Sequence, residues 1–310
     1  MIISASRRTD IPSYYSEWFF NRLQEKFVLV RNPMNIHQVS EISLVPEVVD
    51  CIVFWSKNPR PMLDKLHLLT NYPFYFQFTL NPYTTDIETG LPRKREIIET
   101  FKALSGKIGA HRVIWRYDPI LLNEMYTIDY HVENFGKIAR ALNGYTEKVT
   151  ISFIDFYSKI TRNIETLHIA QMNNDDKRSI TRQLSGIAYE NGFFMDTCAE
   201  DIDLSEYDIE HARCIDDRLI ERIIGCKLKI EKDKTQRLIC GCVASVDIGA
   251  YNSCSNGCLY CYANYSHDAV AKNRLNHNPL SPLLLSERAP SDVYKKRVAA
   301  SKKIAQQELF

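Results

Sequence analysis

The chain has 310 residues, 45% hydrophobic and 25% charged, with a formal net charge of +1 at pH 7. This composition is ordinary for a soluble globular protein, and the near-zero charge excludes a general attraction to nucleic acid or to membranes. No apolar run approaches the roughly 18 residues of a membrane span, and the N-terminal arginines follow the short apolar run there, which is the wrong order for a signal peptide. The sequence therefore predicts a cytoplasmic protein with no membrane partner.

Short runs of β-branched and aromatic residues alternate with longer amphipathic stretches up to about residue 200. These runs are IISAS from Ile2, FVLV from Phe27, CIVFW from Cys51, FYFQFTL from Phe74, RVIWR from Arg112, VTISFI from Val149 and GFFMD from Gly192. Strands that alternate with helices predict an α/β fold with a parallel sheet. About seven such units would make a full or partial (β/α) barrel. An open doubly wound sheet is the alternative, because periodicity does not show closure.

Charged residues recur where the predicted strands end. Four strand exits carry Asn-Pro or Asp-Pro, and proline both stops a strand and is tolerated in the first turn of a helix. The charged residues at these exits and after the first run are Arg7, Arg8, Asp10, Arg31, Lys57, Arg116 and Asp118. In α/β barrels the carboxyl ends of the strands carry the chemistry. The pattern therefore predicts a polar site for an anionic or zwitterionic ligand, with solvated turn charges as the alternative.

The nine cysteines are distributed unevenly, and a cytoplasmic protein needs a reason for them other than disulfides. Cys254, Cys258 and Cys261 are spaced C-x3-C-x2-C in SCSNGCLYCYANY. A structural zinc site usually has four ligands, often as two C-x2-C pairs. Three thiolates on an iron–sulfur cluster would instead leave one iron open to an exogenous molecule. The spacing favours the cluster, with a zinc site or incidental cysteines as the alternative.

Four further cysteines are candidates for a second metal site. Cys198, Cys214, Cys240 and Cys242 could bind either an auxiliary iron–sulfur cluster or a structural zinc ion. The alternative is that they are small buried apolar residues, as cysteines often are. The remaining two, Cys51 and Cys226, are predicted to be structural.

The cysteine loop carries a family resemblance. The motif C-x3-C-x-Tyr-C, with Tyr260 before the last cysteine, resembles the fingerprint of the radical S-adenosylmethionine (SAM) superfamily. The resemblance implies that Cys254, Cys258 and Cys261 hold a [4Fe-4S] cluster and that SAM chelates the fourth iron. It also implies reductive cleavage of SAM to a 5′-deoxyadenosyl radical, with an electron donor such as ferredoxin or flavodoxin as partner.

Within that superfamily the loop looks most like that of the spore photoproduct lyase-like group. The stretches WSKNP and WRYDP are similar to two further elements of the group and occur in the same order. They contain Lys57, Arg116 and Asp118, which we assign to the catalytic site. Arg7, Arg8 and Tyr260 are assigned to cofactor binding. A nucleic-acid substrate would follow from this resemblance alone, since the charge pattern does not indicate one.

The chain as a whole resembles a bacterial family of unknown function that has a radical-SAM-like cysteine cluster at its C-terminus. In the superfamily the cluster loop follows the first barrel strand, but here it follows all the predicted units. The chain is then either circularly permuted, with VASVDIG as the strand before the loop, or it folds its C-terminal segment back over the barrel mouth beside IISAS. No Gly-Gly-Glu-type motif for the SAM amino group is present, so those contacts either come from other residues or are absent.

We accordingly expect a barrel-like core over residues 1–197 and a cysteine-rich, cluster-binding segment over residues 198–310 that packs on the barrel mouth. The three loop cysteines should lie over the carboxyl ends of the strands. The predicted function is that of a radical SAM enzyme whose substrate the sequence does not name. The rival prediction is a non-enzymatic iron–sulfur or zinc protein in which the metal is structural.

Overall fold

The computed structural model describes residues 1–304, which form eleven strands and a set of mostly short helices. The strands are β1 Ile2–Ala5, β2 Phe27–Asn32, β3 Asn35–Ser43, β4 Cys51–Ser56, β5 Phe74–Thr79, β6 Val113–Ile120, β7 Lys148–Phe153, β8 Phe194–Thr197, β9 Glu210–His211, β10 Val246–Asp247 and β11 Val293–Lys296. The α-helices are α1 Ile11–Tyr14, α2 Ser16–Glu25, α3 Lys94–Ile108, α4 Ile128–Leu142, α5 Thr161–Ile164, α6 Asn174–Glu190, α7 Asp217–Ile224 and α8 His267–Leu275. The 3₁₀ helices are Arg60–Leu69, Ala110–Arg112, Glu165–Leu167 and Ser205–Tyr207.

The main sheet has eight strands in the order β10-β1-β4-β5-β6-β7-β8-β9, and each pair of neighbours is parallel. The predicted mixed α/β class with a parallel sheet is confirmed. Six of the seven predicted runs supply strands of this sheet, namely β1, β4, β5, β6, β7 and β8. From β1 to β9 the strands of the sheet lie side by side in chain order, which is the order that successive β-helix-β units produce.

The run FVLV from Phe27 was wrongly assigned to the main sheet. It forms β2, which pairs antiparallel with β3 in a second sheet of order β11-β3-β2. The physical reason is the turn after Asn32, where the side-chain oxygen accepts a hydrogen bond from the Met34 backbone N–H at 2.9 Å. A tight turn of this kind returns the chain antiparallel, whereas a parallel partner needs a longer crossover. Arg31 consequently leaves the edge expected for it and pairs with Asp292 at 2.5 Å.

The two faces of the main sheet pack against different parts of the chain. On β5, Phe74, Phe76 and Phe78 belong to the large core shared with the helices, while Tyr75 belongs to a second buried cluster on the other face. Strands buried on both faces read as continuous apolar runs, as observed in the sequence. The second cluster contains inward-facing strand residues together with residues between β9 and β10, including Ile215.

The segment after β8 therefore covers the face of the sheet that carries Tyr75. The Tyr75 hydroxyl donates a hydrogen bond of 2.6 Å to the Cys214 carbonyl oxygen, and the Gln77 amide donates one of 2.9 Å to the same atom. The Val243 backbone N–H donates to the Ile215 carbonyl oxygen at 3.2 Å. This last bond connects the chain after β9, at one edge of the sheet, to the chain just before β10, at the other.

The predicted division into residues 1–197 and 198–310 stays a prediction, and residues 305–310 lie outside the described part. Within residues 198–304, β9 and β10 join the main sheet and β11 joins the second sheet. None of the helices in residues 1–304 combines the length and the apolar character needed to cross a membrane.

Candidate functional site

A cavity of about 340 Å³ lies at the carboxyl ends of the parallel strands. Residues that immediately follow four strands line it, among them Ser6 after β1, Lys57 after β4, Ile154 after β7 and Cys198 after β8. Concave sites in open or closed parallel sheets form at this edge, because the βα connections converge there. The volume is within the range of small-molecule sites.

Every site residue proposed from the sequence lines this one cavity. They are Arg7, Arg8, Lys57, Arg116, Asp118, Cys198, Cys214, Cys240, Cys242, Cys254, Cys258, Tyr260 and Cys261. Arg31 is the exception among the charged strand exits, for the reason given above. The chemical roles assigned to the thirteen residues stay predictions.

The loop that carries Cys254, Cys258 and Cys261 is held by one asparagine. The side-chain oxygen of Asn264 accepts hydrogen bonds from the backbone N–H groups of Ser253 at 2.7 Å and Cys254 at 2.8 Å. Its amide nitrogen donates to the Cys261 sulfur at 3.5 Å. Cys254 and Cys258 are buried and Cys261 is partly buried. Burial raises the pKa of the Cys258 thiol to about 12, although the nearby Lys57 ammonium opposes this shift.

A second segment, residues 84–91 after β5, clamps the cysteine loop. Glu88 and Cys258 form an antiparallel bridge, and the Leu259 backbone N–H donates to the Ile87 carbonyl oxygen at 3.0 Å. The Gly90 backbone N–H donates to the Asn256 carbonyl oxygen, also at 3.0 Å. A Cβ atom on Gly90 would lie 2.2 Å from the Ser255 carbonyl oxygen, so the two backbones approach as closely as they do only because this residue is glycine.

Glu88 is the ionic centre of this clamp. Its carboxylate is 2.8 Å from the Lys57 ammonium, also pairs with Lys94, and accepts a hydrogen bond from the Tyr260 hydroxyl. Burial alone would raise the pKa of Glu88, but the two ammonium groups outweigh it and the pKa is lowered. Burial likewise acts to lower the pKa of Lys57, but Glu88 and Cys258 outweigh it and the pKa is raised. Both groups are therefore charged, and they hold the wall of the cavity beside Cys258.

Sequence reasoning did not find Glu88. It lies in TTDIETGLP, a polar stretch between a strand and a helix, where a glutamate is ordinary. No local signal distinguishes it, because its partners Lys57 and Tyr260 come from distant parts of the chain.

Arg116 and Asp118 form an ion pair on β6 in which Arg116 is buried and Asp118 is partly exposed. The Arg116 Nε lies 2.9 Å from Asp118 Oδ2. The Asp118 backbone N–H donates to the Asn81 side-chain oxygen at 2.8 Å, and the Asn81 amide in turn donates to the Tyr260 hydroxyl at 3.2 Å. Asn81 and Tyr260 thus connect the ion pair to Glu88 in the clamp.

Arg7 and Arg8 follow β1 and reach the cavity from the side of β10. The Arg7 guanidinium lies over the Trp55 ring at 5.5 Å, and its Nη1 is 3.9 Å from Asp233. The Arg7 Nη2 atom is buried and makes no hydrogen bond to any described residue. Arg8 lies over the Tyr251 ring at 5.3 Å. Both arginines thus contribute positive charge to the cavity, and the predicted anionic or zwitterionic ligand stays a prediction.

The other four lining cysteines, Cys198, Cys214, Cys240 and Cys242, lie close to one another. The sulfurs of Cys198 and Cys214 are 3.3 Å apart. Hydrogen bonds from the side chains of Cys198 and Cys242, assisted by Arg116, lower the pKa of the Cys214 thiol. Across residues 1–304, no three side chains of histidine, cysteine, aspartate or glutamate already stand as a ready-made ligand group for a single metal ion. The four thiols thus line one cavity without surrounding a common point.

The two remaining cysteines lie away from the cavity. Cys51 is fully buried within β4, and Cys226 follows α7 and is partly exposed. Neither lines the cavity.

Comparison with known proteins identifies the family of the chain but does not assign it a reaction. No curated protein matches it. The family model described as "Domain of unknown function (DUF1848)" matches residues 2–263, a range that includes every cavity residue except Asn264 and all three loop cysteines. Since this match spans most of the chain, the protein belongs to the DUF1848 family.

Proposed function

We propose that this protein is a radical SAM enzyme. The observation that carries the proposal is the arrangement of Cys254, Cys258 and Cys261 on the wall of a cavity that also exposes Lys57 and Arg116 at the carboxyl ends of parallel strands. A structural metal site would have no need of such a cavity. An enzyme needs both an open metal position and room beside it for a cosubstrate.

The residues present fit a [4Fe-4S] cluster. The three loop cysteines come from one short loop, face one cavity, and are fixed by Asn264 and by the 84–91 clamp. The other cavity cysteines group with one another, which leaves three thiols for this loop. When bound, such a cluster with SAM at its open iron supplies the electron that cleaves SAM and yields a 5′-deoxyadenosyl radical.

The chain's own residues would bind and orient SAM and the substrate. Arg7, Arg8 and Lys57 supply positive charge for a carboxylate, and the Asp118 carboxylate can accept a hydrogen bond from an ammonium group. These residues replace the absent Gly-Gly-Glu-type contacts in the proposal. Tyr262, just after the loop, lies 5.2 Å from Tyr157 between ring centroids, and the pair helps to keep water out of the cavity.

We also infer that the sheet is a partial barrel in a circularly permuted order. Two observations support this inference. The strands run in chain order with their inner face filled by residues such as Cys214 and Ile215. In addition, β10 lies beside β1 and immediately precedes the cysteine loop, the place of a first barrel strand in the superfamily.

The deciding experiment is SAM cleavage. The protein is purified without oxygen, its cluster reconstituted, reduced with dithionite and incubated with SAM. We expect 5′-deoxyadenosine and methionine, and an EPR spectrum of the reduced cluster that changes when SAM is added. Cys258→Ala should lose both the cluster and the product, whereas Cys226→Ala should keep both. A fully loaded cluster that neither cleaves SAM nor changes its spectrum would instead support the structural metal protein.

A further inference from the structure

The four cysteines opposite the loop come from three separate parts of the chain. Cys198 follows β8, Cys214 follows β9, and Cys240 and Cys242 precede β10. The Cys214 sulfur is 3.3 Å from that of Cys198, and the Cys242 sulfur accepts a hydrogen bond of 3.4 Å from the Ile215 backbone N–H, next to Cys214. All four cysteines line the same cavity, and we call them the thiol quartet. Burial of apolar surface does not by itself require sulfurs from distant segments to meet.

The spacing of Cys198 and Cys214 suits two ligands of a single ion. Zinc–sulfur bonds of about 2.3 Å in a tetrahedron put neighbouring sulfurs about 3.8 Å apart. The 3.3 Å between Cys198 and Cys214 is close to that value. An iron–sulfur cluster distributes its thiolates over separate irons and so holds them farther apart. The four thiols do not surround a common point as they stand, so a shared ion requires side-chain rotations that bring Cys240 and Cys242 toward Cys214.

Buried cations beside the quartet are the second, independent observation. The Arg116 Nη1 atom lies 2.9 Å from the Cys214 sulfur, and the Ile215 backbone N–H lies 3.4 Å from the Cys242 sulfur. Arg7 brings a further guanidinium into the same cavity, with its Nη2 unpartnered among the described residues. Buried cations are costly unless an anion faces them. Asp118 faces the Arg116 guanidinium on one side. Four thiolates around Zn²⁺ would carry a net charge of −2, face it on the other side and accept N–H donors that orient the ligands.

We propose that Cys198, Cys214, Cys240 and Cys242 bind one zinc ion as a closed, structural tetrathiolate site. Binding would release four protons, one from each thiol, and involves no redox step. The site would fix the segment between β8 and β10 against the inner face of the sheet, where Tyr75 and Gln77 already hold the Cys214 carbonyl group. It would also hold Arg116 at the cavity. The proposal does not depend on the SAM reaction.

The test uses the full chain with Cys254→Ala, Cys258→Ala and Cys261→Ala, so that any metal left belongs to the quartet. The probe is Zn²⁺ alone, measured by elemental analysis and by X-ray absorption at the zinc edge. We expect one zinc per chain with four sulfur neighbours at about 2.3 Å. Adding Cys242→Ser should remove the zinc, and the matched control Cys226→Ser should leave it bound.

Three results would overturn the assignment: a chain without zinc, zinc with nitrogen or oxygen neighbours in place of sulfur, or iron with iron neighbours at the quartet. Loss of a structural zinc can unfold a protein. The zinc-edge spectrum is therefore also recorded on the unsubstituted chain. There it reports the zinc ligands alone, because iron bound by the cysteine loop does not contribute at the zinc edge. Failure of SAM cleavage in that same protein would leave the zinc result intact.

Discussion

Glu88 and Cys258 form an antiparallel bridge. This bridge pairs the backbone of the segment after β5 with the backbone of the cysteine loop, which lies far along the chain. Next to this bridge, the two segments approach so closely at Gly90 and Gly257 that an added Cβ atom at either position would clash with the facing segment. The bridge gives the cysteine loop a fixed partner on the main sheet. The contribution of this contact to the stability of the loop can be measured by replacing one of the two glycines with alanine.

We expect Gly90→Ala to displace the loop, because its Cβ would lie 2.2 Å from the Ser255 carbonyl oxygen, a backbone atom. The free energy of unfolding should fall by roughly 1–3 kcal/mol, as is usual for overpacking. Iron incorporated on anaerobic reconstitution should fall as well. The control is Gly106→Ala in α3, where nothing lies within 4 Å of the added Cβ. That variant should be as stable as the parent or more so, and a Gly90→Ala protein with parental iron content and melting temperature would contradict the clamp.

We expect Glu88→Gln to be strongly destabilising, because it leaves the ammonium groups of Lys57 and Lys94 buried without their carboxylate. Removal of one partner from a buried ion pair typically costs about 3–5 kcal/mol. Urea unfolding at pH 7 measures the difference. Glu133→Gln is the control, since Glu133 and its partner Lys137 are both largely exposed, and its unfolding curve should overlay that of the parent. Equal curves for the two variants would rule out Glu88 as an ionic centre.

We expect Arg116→Lys to impair the proposed reaction without removing the cluster. A lysine ammonium does not reproduce the planar fork that contacts both Asp118 and the Cys214 sulfur. Loss of one charge-assisted hydrogen bond corresponds to about a tenfold lower rate of 5′-deoxyadenosine formation, with iron content unchanged. Arg95→Lys, at an exposed position of α3, should keep the parental rate. A parental rate in Arg116→Lys would show that Arg116 takes no part in the proposed reaction.

We expect stability to fall as the pH drops from about 6.5 to about 4, because of His131. Burial lowers the pKa of His131 to about 4, and its ring nitrogens contact the Tyr117 hydroxyl at 2.7 Å and the Leu121 carbonyl oxygen at 2.8 Å. Between these two pH values the unfolded chain binds a proton at this histidine and the folded chain does not. Lowering the pH therefore stabilises the unfolded state relative to the folded state. The contribution is present in full above pH 6.5, and about 3 kcal/mol of it is lost by pH 4.

The measurement for His131 is the free energy of unfolding between pH 7 and pH 4.5. His131→Gln should show a shallower fall with decreasing pH than the parent, whatever its stability at pH 7. His211→Gln, at an exposed position, should show the parental slope. Identical slopes for all three proteins would mean that His131 does not titrate differently in the folded and unfolded states.

Features of the site that depend on neighbouring residues could be predicted from the sequence. The spacing of Cys254, Cys258 and Cys261 depends only on neighbouring residues, and so does the placing of Lys57 and Arg116 at the ends of strands. Because parallel strands end at one edge of a sheet, these local facts were enough to predict that such residues meet. Six apolar runs of the seven joined the main sheet for the same reason.

What only the tertiary structure decided is which distant segments meet. FVLV resembles the other strands, yet the turn after Asn32 commits it to a second sheet. Glu88 looks like any glutamate in a polar stretch, and its importance comes from Lys57 and Tyr260, far away in sequence. The docking of β10 beside β1 likewise rests on long-range pairing. Periodicity and motif spacing record contacts over a few residues, whereas these contacts exist only once the whole sheet has formed.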